Sequence, residues 1–543
     1  MPKFYVTLVI ILFAPTAIAA ENDLCLPTTN KAPPTAPITV GQITIEANDI
    51  FDESLDDSFF IHRWANALHI NTKEQVIINQ LSLEEGQQVT PEQIAEAERL
   101  LRAEPYIREA KITAIEPSQQ ERDCAEQPLL VQTWDNWSLL PTFSASRTGG
   151  ENKFAIGLKE DNLLGLGVRT RVKYQSDQER TGYKFAFSMP INWIPHATLA
   201  MDFYDNSDGQ VSHVLFTKPF YTLDGDSSYQ LEYLDDVSTD TLEQNGEDIN
   251  EFRHDIQFYS GQYGWLHAFD QQRSQRIIAG VTSDQHQFYF SPVYPNGPLP
   301  EDRDFLYPWL AWESVQNQFK VFNNIHLINH SEDINLGFYH YWQLGLETRD
   351  RRSSAPGYHL QGFSSVGFEQ DDHLLFAQFE AKAVLNTAIT DYYWAQVSAE
   401  YFYTINPKWS TYNKLRLSTS RNLPLDMPSA LGDDTGLRGY SNDYQYGDQQ
   451  WLLTSEIRHY PNINLFQLAE LGWAAFADIG QAFGGNDANN AVTGPIGSVG
   501  IGARLFSSRS SYGHVAHIDL SVPITTGPNI DSWEWRFQVR NRF

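Results

Sequence analysis

Cysteine is nearly absent: Cys25 and Cys124 are the only two in 543 residues. That excludes a disulfide-dense scaffold and a zinc cluster. In an oxidising, exported setting the two either pair as one structural disulfide, tying the N-terminal arm to the end of the first domain, or stay as free thiols. Positive charge is scarce too, with 38 Lys and Arg against 68 Asp and Glu and a formal net charge of −30. Such a chain repels phosphates rather than displacing their counterions, so nucleic acid is excluded as a partner. Beyond the first twenty residues no apolar run approaches the ~18 residues of a transmembrane helix.

Catalytic motifs are missing as well. There is no G-x-S-x-G elbow, no H-E-x-x-H pair and no P-loop. "GSVGIG" at 497–502 has the wrong glycine spacing for a dinucleotide turn, and "DNSDG" at 205–209 lacks the later glutamate of a calcium loop. His514 and His517 fall on opposite faces of one strand. The expectation is therefore no enzyme, no cofactor and no metal.

What is present begins with an export signal. Lys3 is a short basic start, Phe4 to Phe13 is an apolar run, and Ala17-Ile18-Ala19 is a small-residue cleavage site, so residues 1–20 read as a signal peptide. Asp23-Leu24 before Cys25 lacks the small residues of a lipoprotein signal. Residues 21–40, with Pro27, Pro33, Pro34 and Pro37, read as an extended linker.

Residues 41–136 have mixed α/β texture. "QITIEA" alternates as a strand. Phe60, Trp64 and Leu68 share one helical face, Val76, Ile77 and Leu81 another. Thr90-Pro91-Glu92-Gln93 spells a capping box with proline at the first helical position, opening a helix that buries Ile94, Ala97 and Leu101. "REAKITAIE" and "PLLVQTW" follow as strands.

From 137 to 543 the helical period is replaced by alternating segments of about ten residues, separated by Gly, Asn, Asp and Pro. The last segment is the clearest. Trp533, Trp535, Phe537, Val539 and Phe543 share one face; Glu534, Arg536, Gln538, Arg540 and Arg542 share the other. Ile518, Leu520 and Val522 likewise oppose His517, Asp519 and Ser521, and Tyr183, Phe185, Phe187 and Met189 oppose Lys184 and Ser188. A soluble sandwich also alternates, but around an aliphatic core. Long strands with aromatic-rich apolar faces, opposite charged ones, favour a transmembrane antiparallel β-barrel with a polar lumen.

Three separated stretches carry a family resemblance. "GLRGY" at 436–440, "FADIG" at 476–480 and the closing strands "SVGIGARLFS" and "WEWRFQVRNRF" resemble the BamA/TamA-like outer-membrane assembly proteins, the bacterial surface antigen family. Residues 41–136 resemble its periplasmic POTRA domain. The resemblance implies a sixteen-stranded barrel in the outer membrane, whereas the tally of alternating segments approaches twenty; segments around 305–345 are alternatively long extracellular hairpins. It also implies that Gly436, Leu437, Arg438, Gly439 and Tyr440 lie on an inward-folded extracellular loop.

Alternation supplies the partners for that loop. It places Phe476, Asp478 and Gly480 opposite Trp473, Ala475 and Ile479, and Glu456 opposite Leu453 and Ile457, so both carboxylates face the lumen. A guanidinium grips a carboxylate with two parallel hydrogen bonds, which lysine cannot do. The bland alternative is a solvated hairpin tip whose arginine touches nothing.

For function the resemblance implies insertion or assembly of outer-membrane proteins. An unfolded client strand would add to a POTRA sheet edge, and the barrel's first and last strands, near "LLPTFSAS" and at "WEWRFQVRNRF", would act as a template. Unfolded outer-membrane or secreted clients and the bilayer are the implied partners, with accessory lipoproteins or periplasmic chaperones. Two alternatives stand beside it. A two-partner-secretion translocator usually carries two POTRA domains and a plug helix, for which residues 21–40 are too short and proline-rich. A passive outer-membrane pore is the other.

Overall fold

The computed structural model describes residues 27–32, 34, 36–51, 60–117, 126–148, 151–176, 180–270, 272–466, 468–485, 487–510 and 515–540. The signal peptide, Cys25, Cys124, His514 and Phe543 lie outside the described residues.

The N-terminal α/β domain is POTRA-like. Its five-stranded sheet has the order Pro27–Ala32, Ile107–Pro117, Gln127–Asp135, Ile38–Asn48 and Gln88–Val89, with one parallel pairing, between Ile38–Asn48 and Gln127–Asp135. Pro27–Ala32 is a correction to the linker expected over 21–40. Those residues pair antiparallel with Ile107–Pro117 as an edge strand, where proline's missing N–H is tolerated.

The helices Glu74–Gln80 and Pro91–Arg102 bury the expected residues, Val76, Ile77, Ile94, Ala97 and Leu101, in one core with Val40, Ile112 and Val131. The capping box is formed, with Gln93 N donating to Thr90 Oγ1 and Thr90 N donating to Gln93 Oε1. The helix expected at Phe60–Leu68 is formed. Phe60 is exposed, and the face that packs presents His62, stacked on Phe51 at 4.2 Å with a ring nitrogen 2.9 Å from Phe466 O. His62 thus ties this helix to a barrel turn.

Twenty antiparallel strands close the barrel, from Leu139–Thr148 to Glu534–Arg540. The segment tally therefore holds, and the sixteen implied by resemblance does not. Around 305–345, Arg303–Gln316 and Tyr339–Glu347 pair with each other as wall strands and are not extracellular hairpins. Only Phe319–Asn323 and Ser331–Asn335 leave the wall, as a separate hairpin on the same side as the α/β domain.

Sidedness is inverted relative to a soluble protein. Ile518, Leu520, Val522, Trp535, Tyr183 and Phe185 are exposed on the outer wall, while His517, Asp519, Ser521, Glu534 and Arg536 are buried inside. A wall of this kind stands in lipid, where a closed sheet satisfies its backbone groups between strands.

A polar chain fastens the domain to the barrel's first turn. Asp135 is fully buried and accepts from Thr72 N at 2.7 Å, with His69 Nε2 at 2.9 Å. Thr72 Oγ1 also meets Asp135 and receives Asn162 Nδ2 at 2.8 Å, and Asn162 Oδ1 accepts from Gly167 N. Gly165 has φ +72, and a Cβ there would fall 2.4 Å from Asn71 O, so only glycine fits. Arg102 extends the junction with a fork on Asp333 of the hairpin, at 2.9 Å from both oxygens.

Replacing Asp135 with Ala leaves Thr72 and His69 without their buried acceptor. It should destabilise the domain by about 3 kcal/mol. Urea-dependent proteolysis of the full-length protein should show the domain cut at lower urea while the barrel stays resistant.

Candidate functional site: a loop docked in the lumen

The segment between the strands Trp409–Arg421 and Gln449–Leu465 enters the barrel from the end opposite the α/β domain, the distal end. A short ribbon of Ala430–Leu431 with Gln445–Tyr446 forms its base. Gly436 and Gly439 take φ +107 and +89, a left-handed backbone that L side chains rarely adopt, and this turns the tip inward. Leu437 and Tyr440 are buried with Leu431, Leu452 and Ile496.

Arg438 sits at the tip. Its Nε and Nη2 donate to Asp478 Oδ2 and Oδ1 at 2.6 and 2.9 Å, and its Nη1 donates to Glu456 Oε1 at 2.8 Å. The guanidinium carbon lies 3.5 Å from the centre of the Phe476 ring, a cation–π contact. Burial disfavours its charge, but Asp478 and then Glu456 outweigh that and raise its pKa, so it stays a cation. Tyr440 Oη donates to Gly497 O at 2.6 Å and accepts from Gly497 N at 3.0 Å. The solvated-tip alternative is thereby excluded. Gly480 stands close to the loop base, where a Cβ would meet Leu431 and Leu452 at 3.1 Å.

The ionic contacts continue in two directions that the sequence did not disclose. Toward the α/β domain, Arg458 Nε donates to Glu456 Oε2 at 3.0 Å, and its Nη1 donates to Ile325 O of the proximal hairpin. That hairpin is held by Glu332, whose carboxylate accepts from the backbone N–H groups of Ile325, His326 and Leu327. Ile328 packs on Tyr460, Ala474 and Phe506 inside the wall. Toward the last strand, Arg536 donates to Asp433 of the loop and to Asp519, which Arg504 also grips at 2.6 Å. Charged residues at alternate positions signalled the lumenal face but not which of them pair.

The wall is uneven at one place. Glu534–Arg540 pairs with Val515–Pro523 along its length, from Val515↔Arg540 to Ser521↔Glu534. Among the described residues it meets the first strand Leu139–Thr148 at a single register pair, Arg536↔Ser146. Trp535 points outward here, and Phe537 lies 6.3 Å from Phe143 of the first strand, ring centre to ring centre.

Fold and site together define a membrane-spanning β-barrel with a docked α/β domain, a lumenal loop locked by one arginine, and a thinly paired seam. Among solved structures the chain is similar to BamA from Haemophilus ducreyi lacking POTRA domains 1–3, at 12% identity over 93% of this chain and 84% of that one, with a TM-score of 0.43. It is also similar to CdiB from Acinetobacter baumannii (10% identity, 92% and 73% covered, TM-score 0.48) and CdiB from Escherichia coli (11%, 92% and 76%, 0.47). No family model matches the chain, and no curated protein does. All three TM-scores lie below 0.5, so function is argued from the chain's own geometry.

Arg438→Ala leaves Asp478 and Glu456 buried without their shared cation, at a cost of about 3–5 kcal/mol to loop docking. Limited proteolysis of the folded protein should open cleavage sites within 422–448 while the heat-resistant barrel band persists. Arg438→Lys should behave nearly as badly, since an ammonium cannot fork onto Asp478.

Proposed function

We propose that this chain is an outer-membrane assembly factor of the BamA/TamA-like kind, inserting client proteins by strand templating at its own seam. The observation that carries this is that, among the described residues, the first and last strands share one register pair, Arg536 with Ser146. A barrel in lipid closes because unpaired backbone groups there cost several kcal/mol each. A seam this thin is the place where a client strand can exchange for a native one at least cost. The edge it offers is read through main-chain hydrogen bonds, so it accepts extended chain with little regard to sequence.

The remaining geometry supports the same function. Arg536 also holds Asp433 of the docked loop, so the lock at Arg438 bears on the strand that borders the seam. The POTRA-like domain lies under the barrel on the side from which a client would arrive, taken as the periplasm. No catalytic role is assigned: the Arg438 cluster is a scaffold of ion pairs.

A second function, export of one partner through the lumen, is favoured by a different feature. Between the domain, the hairpin and the wall lies a cavity of about 950 Å³, lined by Arg102, Lys159, Arg169 and Lys184 together with the carboxylates that pair with them, Asp333, Asp161, Glu104 and Asp202. A vestibule of that size and mixed charge suits entry of an extended chain once the hairpin is displaced.

One experiment separates the two. Cysteines at Phe143 and Phe537, in a chain with Cys25 and Cys124 replaced by Ser, are joined by a short bis-maleimide in the native host depleted of the wild-type protein. Sealing the seam should abolish assembly of several unrelated barrel proteins, read by outer-membrane proteomics, with the unjoined variant active. Normal assembly after sealing would sink the templating mechanism. Loss of one secreted protein on depletion, restored by the sealed variant, would favour export instead.

A further inference from the structure

Near the distal end, two wall strands and the root of the docked loop bring His254, His286 and Asp426 together. One ligand atom from each lies within 4.8 Å of the others. His254 comes from Glu247–Phe269, His286 from the neighbouring Arg273–Phe290, and both alternate with outward residues such as Tyr259 and Tyr289, so they face the lumen. Asp426 is set above them because Leu425 packs with Phe252 and Phe288, and the His254 ring lies 4.3 Å from Phe288.

The hydrogen bonds behind the two rings decide what lies between them. His254 Nδ1 is 2.7 Å from Asp240 Oδ2, and His286 Nε2 is 2.9 Å from Asp284 Oδ1. An ionised carboxylate only accepts, so each neutral ring carries its proton on the carboxylate side. The nitrogens left over, His254 Nε2 and His286 Nδ1, face each other at 2.7 Å. Both then present lone pairs, and two lone pairs at that separation repel unless a cation is shared between them. A carboxylate behind each imidazole is also the arrangement that orients and strengthens metal-ligating histidines.

The charges around the pair favour added positive charge. Asp240, Asp284 and Asp426 are the nearest carboxylates, with Asp236 facing His254 from the adjoining strand; Arg303, Lys382 and Arg180 are the neighbouring cations. Arg180 is itself paired with Asp208 at 3.3 Å, so carboxylates outnumber cations and the neutral rings sit in a negatively charged site. Arg303 forks onto Asp426 at 2.9 and 2.6 Å, which fixes that carboxylate yet leaves each oxygen a second lone pair.

We propose that His254, His286 and Asp426 bind a divalent first-row transition metal ion of the Zn²⁺ class, pinning the root of the docked loop to the barrel wall. Two imidazoles and one carboxylate suit such an ion better than Ca²⁺ or Mg²⁺, which take oxygen ligands. Zn–N bonds of about 2.0 Å in a tetrahedral site separate the two nitrogens by roughly 3.3 Å, a small ring rotation from the present spacing. The inference is independent of the insertion mechanism, since it concerns the wall and loop root alone.

The test is calorimetric titration of Zn²⁺ into the full-length, chelator-stripped protein in detergent micelles, with Co²⁺ absorption as the spectroscopic partner. The wild type should take up one equivalent, and Co²⁺ should develop the intense visible bands of a four-coordinate nitrogen–oxygen site. His254→Ala and His286→Ala should each weaken binding at least 100-fold. Asp284→Asn, which keeps every ligand and the wall packing, should weaken it about 10- to 100-fold. Heat-modifiable gel mobility confirms that each variant is folded. A wild type that takes up no Zn²⁺, or binds it as well as the folded His254→Ala protein does, overturns the site and leaves a shared proton as the cation between the rings.

Discussion

Lipid forbids an unpaired backbone, and nearly everything distinctive in this molecule follows from that constraint. Strands in a bilayer must close on themselves, so twenty of them do. Closure sends every second side chain outward into hydrocarbon and every other one into the lumen, where the chain's charge accumulates. Arg276, Arg303, Arg458, Arg504 and Arg536 are all buried there, with Glu400, Glu456, Asp478 and Asp519. Charges away from bulk water are tolerated only in pairs, and the segments that enter the lumen supply part of that pairing.

Two segments enter, one from each end, and they meet through a single strand. Arg438 comes down on the distal loop to Asp478 and Glu456. Arg458, two residues along the same wall strand from Glu456, reaches the carbonyl of Ile325 on the proximal hairpin. Arg102 of the α/β domain holds that hairpin by Asp333. The contacts therefore run from domain to hairpin to wall to loop, each link including a charged hydrogen bond beside its apolar packing. Such links are directional, so displacing the hairpin changes which partners Arg458 has, and Arg458 shares Glu456 with Arg438.

How much of this was legible in the sequence depends on whether a feature is periodic or a coincidence in space. Alternation alone assigned Asp478 and Glu456 to the lumen, and a family motif put Arg438 opposite them; the geometry agrees. The count of alternating segments gave the strand number better than the resemblance did, because strand number is written into each chain separately. Pro27–Ala32 was missed because its pairing partner lies some eighty to ninety residues away and Pro27, with the prolines that follow the strand, reads as linker. His254, His286 and Asp426 have no spacing to notice. They lie on two strands and a distant loop, and only the barrel's register brings them together.

The seam gives these observations a common direction. Arg536 is at once the register partner of Ser146 across the seam, a ligand of Asp519 in the wall, and the donor to Asp433 at the root of the loop tip. A strand cannot peel from the seam without moving its own side chains. Peeling the last strand therefore pulls Arg536 off Asp433 and leaves that carboxylate and Asp519 to be satisfied by others. The docked loop, held independently by Arg438, supplies the fixed end against which this exchange takes place. Among the described residues, the thinnest wall pairing and one anchor of the loop thus share a single residue, Arg536.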